Sequence, residues 1–307
     1  MSLLEAKSLI DNGVIVLPGP SNIRDGLIEF LEDNHVEFKD GHPDVMGHFG
    51  AWGHPTSFHH PYIRDVRSKV YSYMAPTIKS LFPGKKIEML FDRFSKRKAG
   101  TSTTAESWHR DISSSKNFKE NDIIYGGWIN LDKTKQKPQY FSCVPGTHIY
   151  EKDKDKGFAV INKEQVAIYK QMKKDKIIKP FEIHPEHLIL FNQDIAHEVL
   201  SRKTKEDSYR LYIGWRITDD DKPLYDNLLT IIERQGIPTI PGGMLPPMYN
   251  AMHMINWNSR LIEFTERIKD EFITGKYVMR HMISLKKSGL KMLPEYTPDE
   301  INILKPH

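Results

Sequence analysis

A mainly β protein with flanking helices, built as an antiparallel barrel or sandwich with helical segments before and after it, is the fold class that the sequence predicts. Three observations carry the prediction. Between residues 86 and 219 the apolar residues come in short runs rich in Val, Ile, Tyr, Phe and Trp, with turn residues between them. On either side of that window the apolar spacing becomes helical. The chain is also long enough, at 307 residues with 39% apolar composition and 14 Phe, 13 Tyr and 5 Trp, to bury the core of one or two domains.

The elements follow in order. Residues 3–12 read as a short amphipathic helix, and Gly13 opens Val14-Ile15-Val16-Leu17-Pro18, a buried strand stopped by proline. Residues 23–34 read as helix, and a Gly/His-rich loop spans 41–60. Pro61 suits the first turn of a helix that runs to about Tyr73. Strands are expected at 87–94, 123–131, 140–144, 187–191, 195–200 and 209–217. A lysine-rich insertion, 151–179, interrupts them, and its interleaved Asp and Glu are the composition of a solvated face. After Pro223, helices are expected at 224–235, 259–273 and 277–287, around a proline-rich loop at 236–247. The expected organisation is a core of residues 1–222 and a helical extension of residues 223–307. The apolar faces of those helices need the outside of the barrel as cover, so core and extension form one folding unit.

Composition narrows the function classes. Lys and Arg total 44 against 40 Asp and Glu, a net charge of +4 with no one-signed stripe, so nucleic acid is not the expected partner. No run approaches the ~18 apolar residues of a membrane span. The first apolar stretch, Leu3-Leu4-Glu5-Ala6, contains an acid, unlike a signal peptide. The single cysteine, Cys143, excludes an intrachain disulfide and a multi-cysteine zinc site, and its strand position marks it as a packing residue. A cytoplasmic protein is the expectation.

Chemistry enters with Trp108-His109-Arg110-Asp111. Residues two apart on a strand share a face, so His109 and Asp111 can hold one metal ion between them. Such His-x-acid triplets are common: about two are expected by chance from 14 His and 40 acids, and the chain has four. His42/Asp44 and His184/Glu186 enclose a proline, which is poor in a central strand, and His35/Glu37 ends a helical stretch, where residues two apart diverge. His109/Asp111 lies between strand-forming segments, and His197, on the strand expected at 195–200, offers a third ligand. Two histidines and a carboxylate with three open positions form the facial triad of non-haem Fe(II) oxygenases. The alternative is two hydrogen-bonded barrel histidines with Asp111 capping a turn.

Arginine adds a second feature. On the strand at 209–217 one face carries Leu211, Ile213, Trp215 and Ile217, and the other carries Arg210, Tyr212, Gly214 and Arg216. If the apolar face packs under helices, Arg210 enters the barrel, where a charge needs a partner. That partner is either an internal carboxylate or the carboxylate of a dicarboxylate co-substrate, gripped by both prongs of the guanidinium.

Taken in order, these motifs resemble the Fe(II)/2-oxoglutarate-dependent dioxygenases, and within them the phytanoyl-CoA dioxygenase-like family. The resemblance runs over roughly residues 10–217. It rests on the buried strand at Val14-Ile15-Val16-Leu17, Trp108-His109-Arg110-Asp111, Trp128-Ile129-Asn130-Leu131-Asp132, Val144-Pro145-Gly146-Thr147-His148, and His187-Leu188-Ile189-Leu190-Phe191 leading to His197, with Arg210 following. It implies a double-stranded β-helix (jelly-roll, cupin-like) barrel with N-terminal helices and a C-terminal helical extension. It implies Fe(II) on His109, Asp111 and His197 as the metal-binding and catalytic set. Arg210 would bind the distal carboxylate of the co-substrate 2-oxoglutarate, with Trp128 lining the same pocket.

The implied activity is an oxygenase using molecular oxygen, hydroxylating a small organic or lipid-like substrate with release of succinate and CO2. Halogenating members of the family carry a small residue at the carboxylate position, so Asp111 points to hydroxylation or a related oxidation. The sequence departs from the family at Thr147, which replaces Ser, and at Val199, where a small hydroxyl or amide side chain is frequent; Arg216 is the fallback anchor should the strand register differ. Two other readings stay open: a cupin-like metal-binding protein without 2-oxoglutarate, and a non-catalytic binding or structural protein on the same fold. A small-molecule partner and a monomer or homodimer are expected.

Overall fold

The computed structural model describes residues 3–26, 61–97, 99–100, 106–111, 121–150, 159–200, 203–222 and 297–307. Helix α1 (Leu3–Asn12) leads into strand β1 (Val14–Pro18) through Gly13. Gly13 is required there twice over. It sits at φ +74°, and a Cβ on it would lie 2.5 Å from the His148 ring. Pro18, which has no N–H to give, ends β1 on the edge of its sheet.

Helix α2 (Pro61–Leu81) continues a full two turns beyond the end expected near Tyr73, straight through Pro76. An internal proline costs a helix about 3 kcal/mol. The stripe Val66, Val70, Met74 and Ile78, each almost fully buried, offsets that cost. Residues 23–26 are turn and bend, not the start of a helix; the rest of the 23–34 expectation, the 41–60 loop, and the helices at 224–235, 259–273 and 277–287 lie outside the described residues.

The strands are β2 (Lys86–Arg97), β3 (Glu106–Arg110), β4 (Ile123–Asn130), β5 (Gln139–Cys143), β6 (Ala159–Val160), β7 (Phe181–Ile183), β8 (His187–Asn192), β9 (His197–Val199) and β10 (Ser208–Thr218). They form two five-stranded sheets, β1-β8-β4-β10-β2 and β6-β3-β9-β5-β7, with every pairing antiparallel. Through β3-β4-β5 and again through β8-β9-β10 the chain passes from one sheet to the other, which makes the barrel a double-stranded β-helix. A one-turn helix α3 (Thr147–Tyr150) follows β5; the lysine-rich insertion then holds the short β6 and helix α4 (Lys163–Lys174), and β7 comes just after it. Asn162 caps α4 by accepting from the Gln165 N–H, and Tyr169 is its one buried residue.

Among the described residues three apolar clusters result. Leu211, Ile213, Trp215 and Ile217 of β10 pack with the stripe of α2 on one outer face. Trp108, Val144 and Ala196 pack with Tyr169 on the other. Val14, Trp128, Phe141, Cys143, Ile189, Phe191 and Ile195 fill the space between the sheets. Burial there pushes the Cys143 thiol up, so it stays protonated and acts as a packing group.

The backbones of β4 and β8 approach so closely at Gly127 that a Cβ would lie 1.9 Å from the Ile189 carbonyl oxygen. At the other end of the chain, helix α5 (Pro298–Asn302) and the residues after it dock on the edge strand β2. Ile87 and His307 exchange backbone hydrogen bonds at 3.2 Å, and Met89 donates to Ile303. Glu300 closes a capping box with Thr297 and also takes two hydrogen bonds from Arg64, at 2.6 and 2.7 Å. No helix among the described residues is long and apolar enough to cross a membrane.

Candidate metal centre

Strands β3 and β9 are neighbours, and their register sets His109 directly opposite His197, with ring centroids 4.3 Å apart. Strand β3 ends at Arg110, and the Asp111 N–H donates to the Gln193 carbonyl in the turn between β8 and β9. That bond turns the Asp111 carboxylate toward the two rings. Its Oδ1 lies 3.4 Å from His197 Nε2 and 3.6 Å from His109 Nε2. One ligand atom from each of the three residues falls within 4.8 Å of the others, and all three side chains are buried.

The surroundings orient these atoms. His197 Nδ1 lies 3.0 Å from the Ile195 carbonyl. A carbonyl only accepts, so Nδ1 carries a proton and Nε2 is the atom left to act as a ligand. Asp111 Oδ1, also a lone-pair atom, is buried and makes no hydrogen bond. Two buried lone pairs aimed at each other at 3.4 Å are stable around a cation, and two imidazoles with one carboxylate suit a divalent transition metal.

The Pro-Gly-Thr-His turn braces the same place. Thr147 accepts the Ala196 N–H at 2.9 Å and donates to the Val144 carbonyl, so its hydroxyl fixes the start of β9. Arg110 reaches across to the carbonyls of Thr147 and Asp194. Phe141 and Phe191 flank the His197 ring.

Arg210 lies on β10 opposite Asn130, on the face away from the α2 cluster and half-buried. Its guanidinium carbon sits 4.3 Å over the Trp128 ring, its Nε donates to Gln139 Oε1 at 2.7 Å, and Nη1 is 3.4 Å from the Tyr212 hydroxyl. Among the described residues no carboxylate pairs with it. Trp128, Phe141 and His197 are in successive ring contact, so one aromatic wall joins the arginine to the histidine pair.

Arg216 is a different case: it is buried and engaged by Asp122 at 2.8 Å, Glu88 at 3.0 Å and Asp220 at 3.4 Å. Burial works against its charge, and Asp122 and Glu88 hold it protonated. Gln139, which meets both Trp128 and Arg210, is a site residue that the motif reading passed over. Period-two alternation with Phe141 and Cys143 on β5 was the signal that places it inward.

No family model matches the sequence, and no curated protein matches it. Solved structures do. A non-haem α-ketoglutarate-dependent carbocyclase from nogalamycin biosynthesis superposes with TM-score 0.50 at 16% identity, covering 72% of this chain and 85% of that one. A non-haem α-ketoglutarate-dependent epimerase from the same biosynthesis gives 0.48 at 11% identity over 71% and 80%. EctD from S. alaskensis, solved with 2-oxoglutarate and 5-hydroxyectoine, gives 0.46 at 14% over 70% and 76%. The chain therefore has the double-stranded β-helix fold found in non-haem α-ketoglutarate-dependent enzymes.

Proposed function

We propose that this protein is an Fe(II)- and 2-oxoglutarate-dependent oxygenase that hydroxylates a small organic or lipid-like molecule. The observation that carries the reading is the buried cluster of His109, Asp111 and His197, with the Asp111 Oδ1 and His197 Nε2 lone pairs converging inside a barrel. These three residues hold the metal and leave positions open on one side of it. Bound there, iron(II) with 2-oxoglutarate and O2 supplies a two-electron oxidation of a C–H bond, with release of succinate and CO2. Arg210 binds the distal carboxylate of 2-oxoglutarate, and Trp128 supports the guanidinium from below. Phe141 and Phe191 keep water from the His197 side of the centre. The fold shared with a non-haem α-ketoglutarate-dependent carbocyclase supports the same reading.

Among the described residues no carboxylate pairs with Arg210, and a co-substrate carboxylate would supply that countercharge, which favours 2-oxoglutarate use over metal binding alone. The test is succinate formation by the purified protein with Fe(II), O2 and 2-oxoglutarate, a slow uncoupled reaction that needs no known substrate. His109→Ala and Asp111→Ala should lose both bound metal and succinate, and Arg210→Ala should keep metal and lose succinate. Unchanged metal content in His109→Ala and Asp111→Ala refutes the ligand assignment.

A further inference from the structure

The geometry points to Gln139 as the residue that positions Arg210 for a carboxylate: its amide clamps the guanidinium by Nε and leaves the Nη edge as the binding edge. The inference rests on the reading of Arg210 as the 2-oxoglutarate anchor. Gln139 is fully buried and reaches partners on both sides. Oε1 accepts from Trp128 Nε1 at 3.0 Å and from Arg210 Nε at 2.7 Å. Nε2 faces Asn130 Oδ1 at 2.8 Å, Asp132 Oδ2 at 3.1 Å, the Tyr209 carbonyl at 3.1 Å and Ser208 Oγ at 3.2 Å.

The orientation of this amide is not a free choice. Indole and guanidinium N–H groups only donate, so the atom facing them is the carbonyl oxygen. The Tyr209 carbonyl and the Asp132 carboxylate only accept, so the atom facing them is the amide nitrogen. Asn130 is fixed in turn, because its Nδ2 donates to the Ile183 carbonyl and its Oδ1 accepts the Asp132 N–H.

Two consequences follow. With Nε tied to Gln139, the guanidinium carbon over the Trp128 ring and Nη1 also 3.4 Å from the Tyr212 hydroxyl, the guanidinium is held in place, and the remaining Nη N–H groups form the edge that can grip a carboxylate. The clamp is also neutral. A glutamate there would hold Arg210 as an internal ion pair and compete with the co-substrate, whereas an amide holds the fork while leaving its charge for the ligand. The ordering cost is met before the co-substrate arrives.

The experiment is anaerobic calorimetric titration of 2-oxoglutarate into Mn(II)-loaded protein, for wild type, Arg210→Ala, Gln139→Met and Gln139→Glu. Gln139→Met should bind about tenfold more weakly, the loss of one hydrogen bond to a charged group. Gln139→Glu should bind more weakly still at about pH 8 and recover as pH falls and its carboxyl protonates, a pH response that a merely structural role would not produce. Mn(II) affinity should be unchanged in both. Wild-type affinity in Gln139→Met overturns the inference, as does a parallel loss of Mn(II) binding. Should Gln139→Met not fold, a flat pH profile in Gln139→Glu overturns it, and failure of both variants to fold makes Gln139 a core residue and overturns it as well. Wild-type protein that binds Mn(II) but not 2-oxoglutarate refutes the proposed function instead, while loss in Arg210→Ala without loss in either Gln139 variant refutes the clamp alone.

Discussion

Asp111→Asn should stabilise the metal-free protein and abolish most of the stabilisation that metal provides. His197 Nδ1 donates to the Ile195 carbonyl, so Nε2 is the ring atom that faces the Asp111 carboxylate, at 3.4 Å. Asparagine keeps the shape, removes a buried charge and brings an N–H that can donate to that nitrogen. Exchanging an unsatisfied acceptor for a made hydrogen bond is worth about 1 kcal/mol, so the metal-free variant should exceed wild type by that order. With metal at about a hundred times its Kd, wild type gains about 2.7 kcal/mol from binding alone. The variant lacks the charged ligand and should gain little, so the order of stabilities inverts on adding metal. Denaturant unfolding of chelator-treated protein, with and without Mn(II), measures both differences. A metal-free Asp111→Asn protein less stable than wild type by a kilocalorie or more would refute the reasoning and make Asp111 a structural cap.

Two further perturbations test the frame that holds the site. Gly127→Ala places a Cβ 1.9 Å from the Ile189 carbonyl oxygen and must force β4 from β8, at a cost above about 3 kcal/mol; Gly84→Ala, at φ +80° with open space around it, should cost only about 1 kcal/mol. Equal denaturation midpoints for the two variants would contradict the close approach. Burial pushes the Glu300 carboxyl up, but hydrogen bonds from Arg64 and Thr297 bring it down from 4.5 to about 2. A depressed pKa contributes stability above the unfolded value and loses it as pH falls toward the folded one. Glu300→Gln should therefore cost on the order of 1 kcal/mol at neutral pH, since solvent screens this partly exposed pair, and far less near pH 2.5, read from unfolding curves at each pH; a deficit independent of pH would show that the Arg64 pair contributes nothing through charge.

The barrel was legible because β-strands write themselves in period two. The alternation along Leu211, Ile213, Trp215 and Ile217 named the packing face of β10 and so the inward face of Arg210. The His-x-Asp spacing worked for a reason the sequence did not contain. Asp111 lies just past the end of β3, and what points its carboxylate at the histidines is a backbone bond to Gln193, which is 82 residues away along the chain. Helix α4 escaped notice because eleven of its twelve residues are not buried, so its amphipathic signal reduces to one aromatic, Tyr169. Proline at 76 disfavours a longer helix locally, and burial of the stripe through Ile78 overrides it.

The two arginines of β10 show where strand-level reading ends. Arg210 and Arg216 share a strand and a face, and sequence spacing cannot rank them as carboxylate anchors. Their partners come from elsewhere: Glu88 on β2 and Asp122 before β4 for one, Gln139 on β5 and Trp128 on β4 for the other. Arg216 has its charge cancelled by three carboxylates, and any arriving anion would have to displace one of them from a buried site. Among the described residues, Arg210 is held by an amide and an aromatic face, neither of which neutralises it. A half-buried cation fixed in orientation but not in charge is costly to keep unless a ligand supplies the missing anion. The arginine worth assigning to a co-substrate is thus the one whose neighbours hold its geometry and leave its charge unanswered.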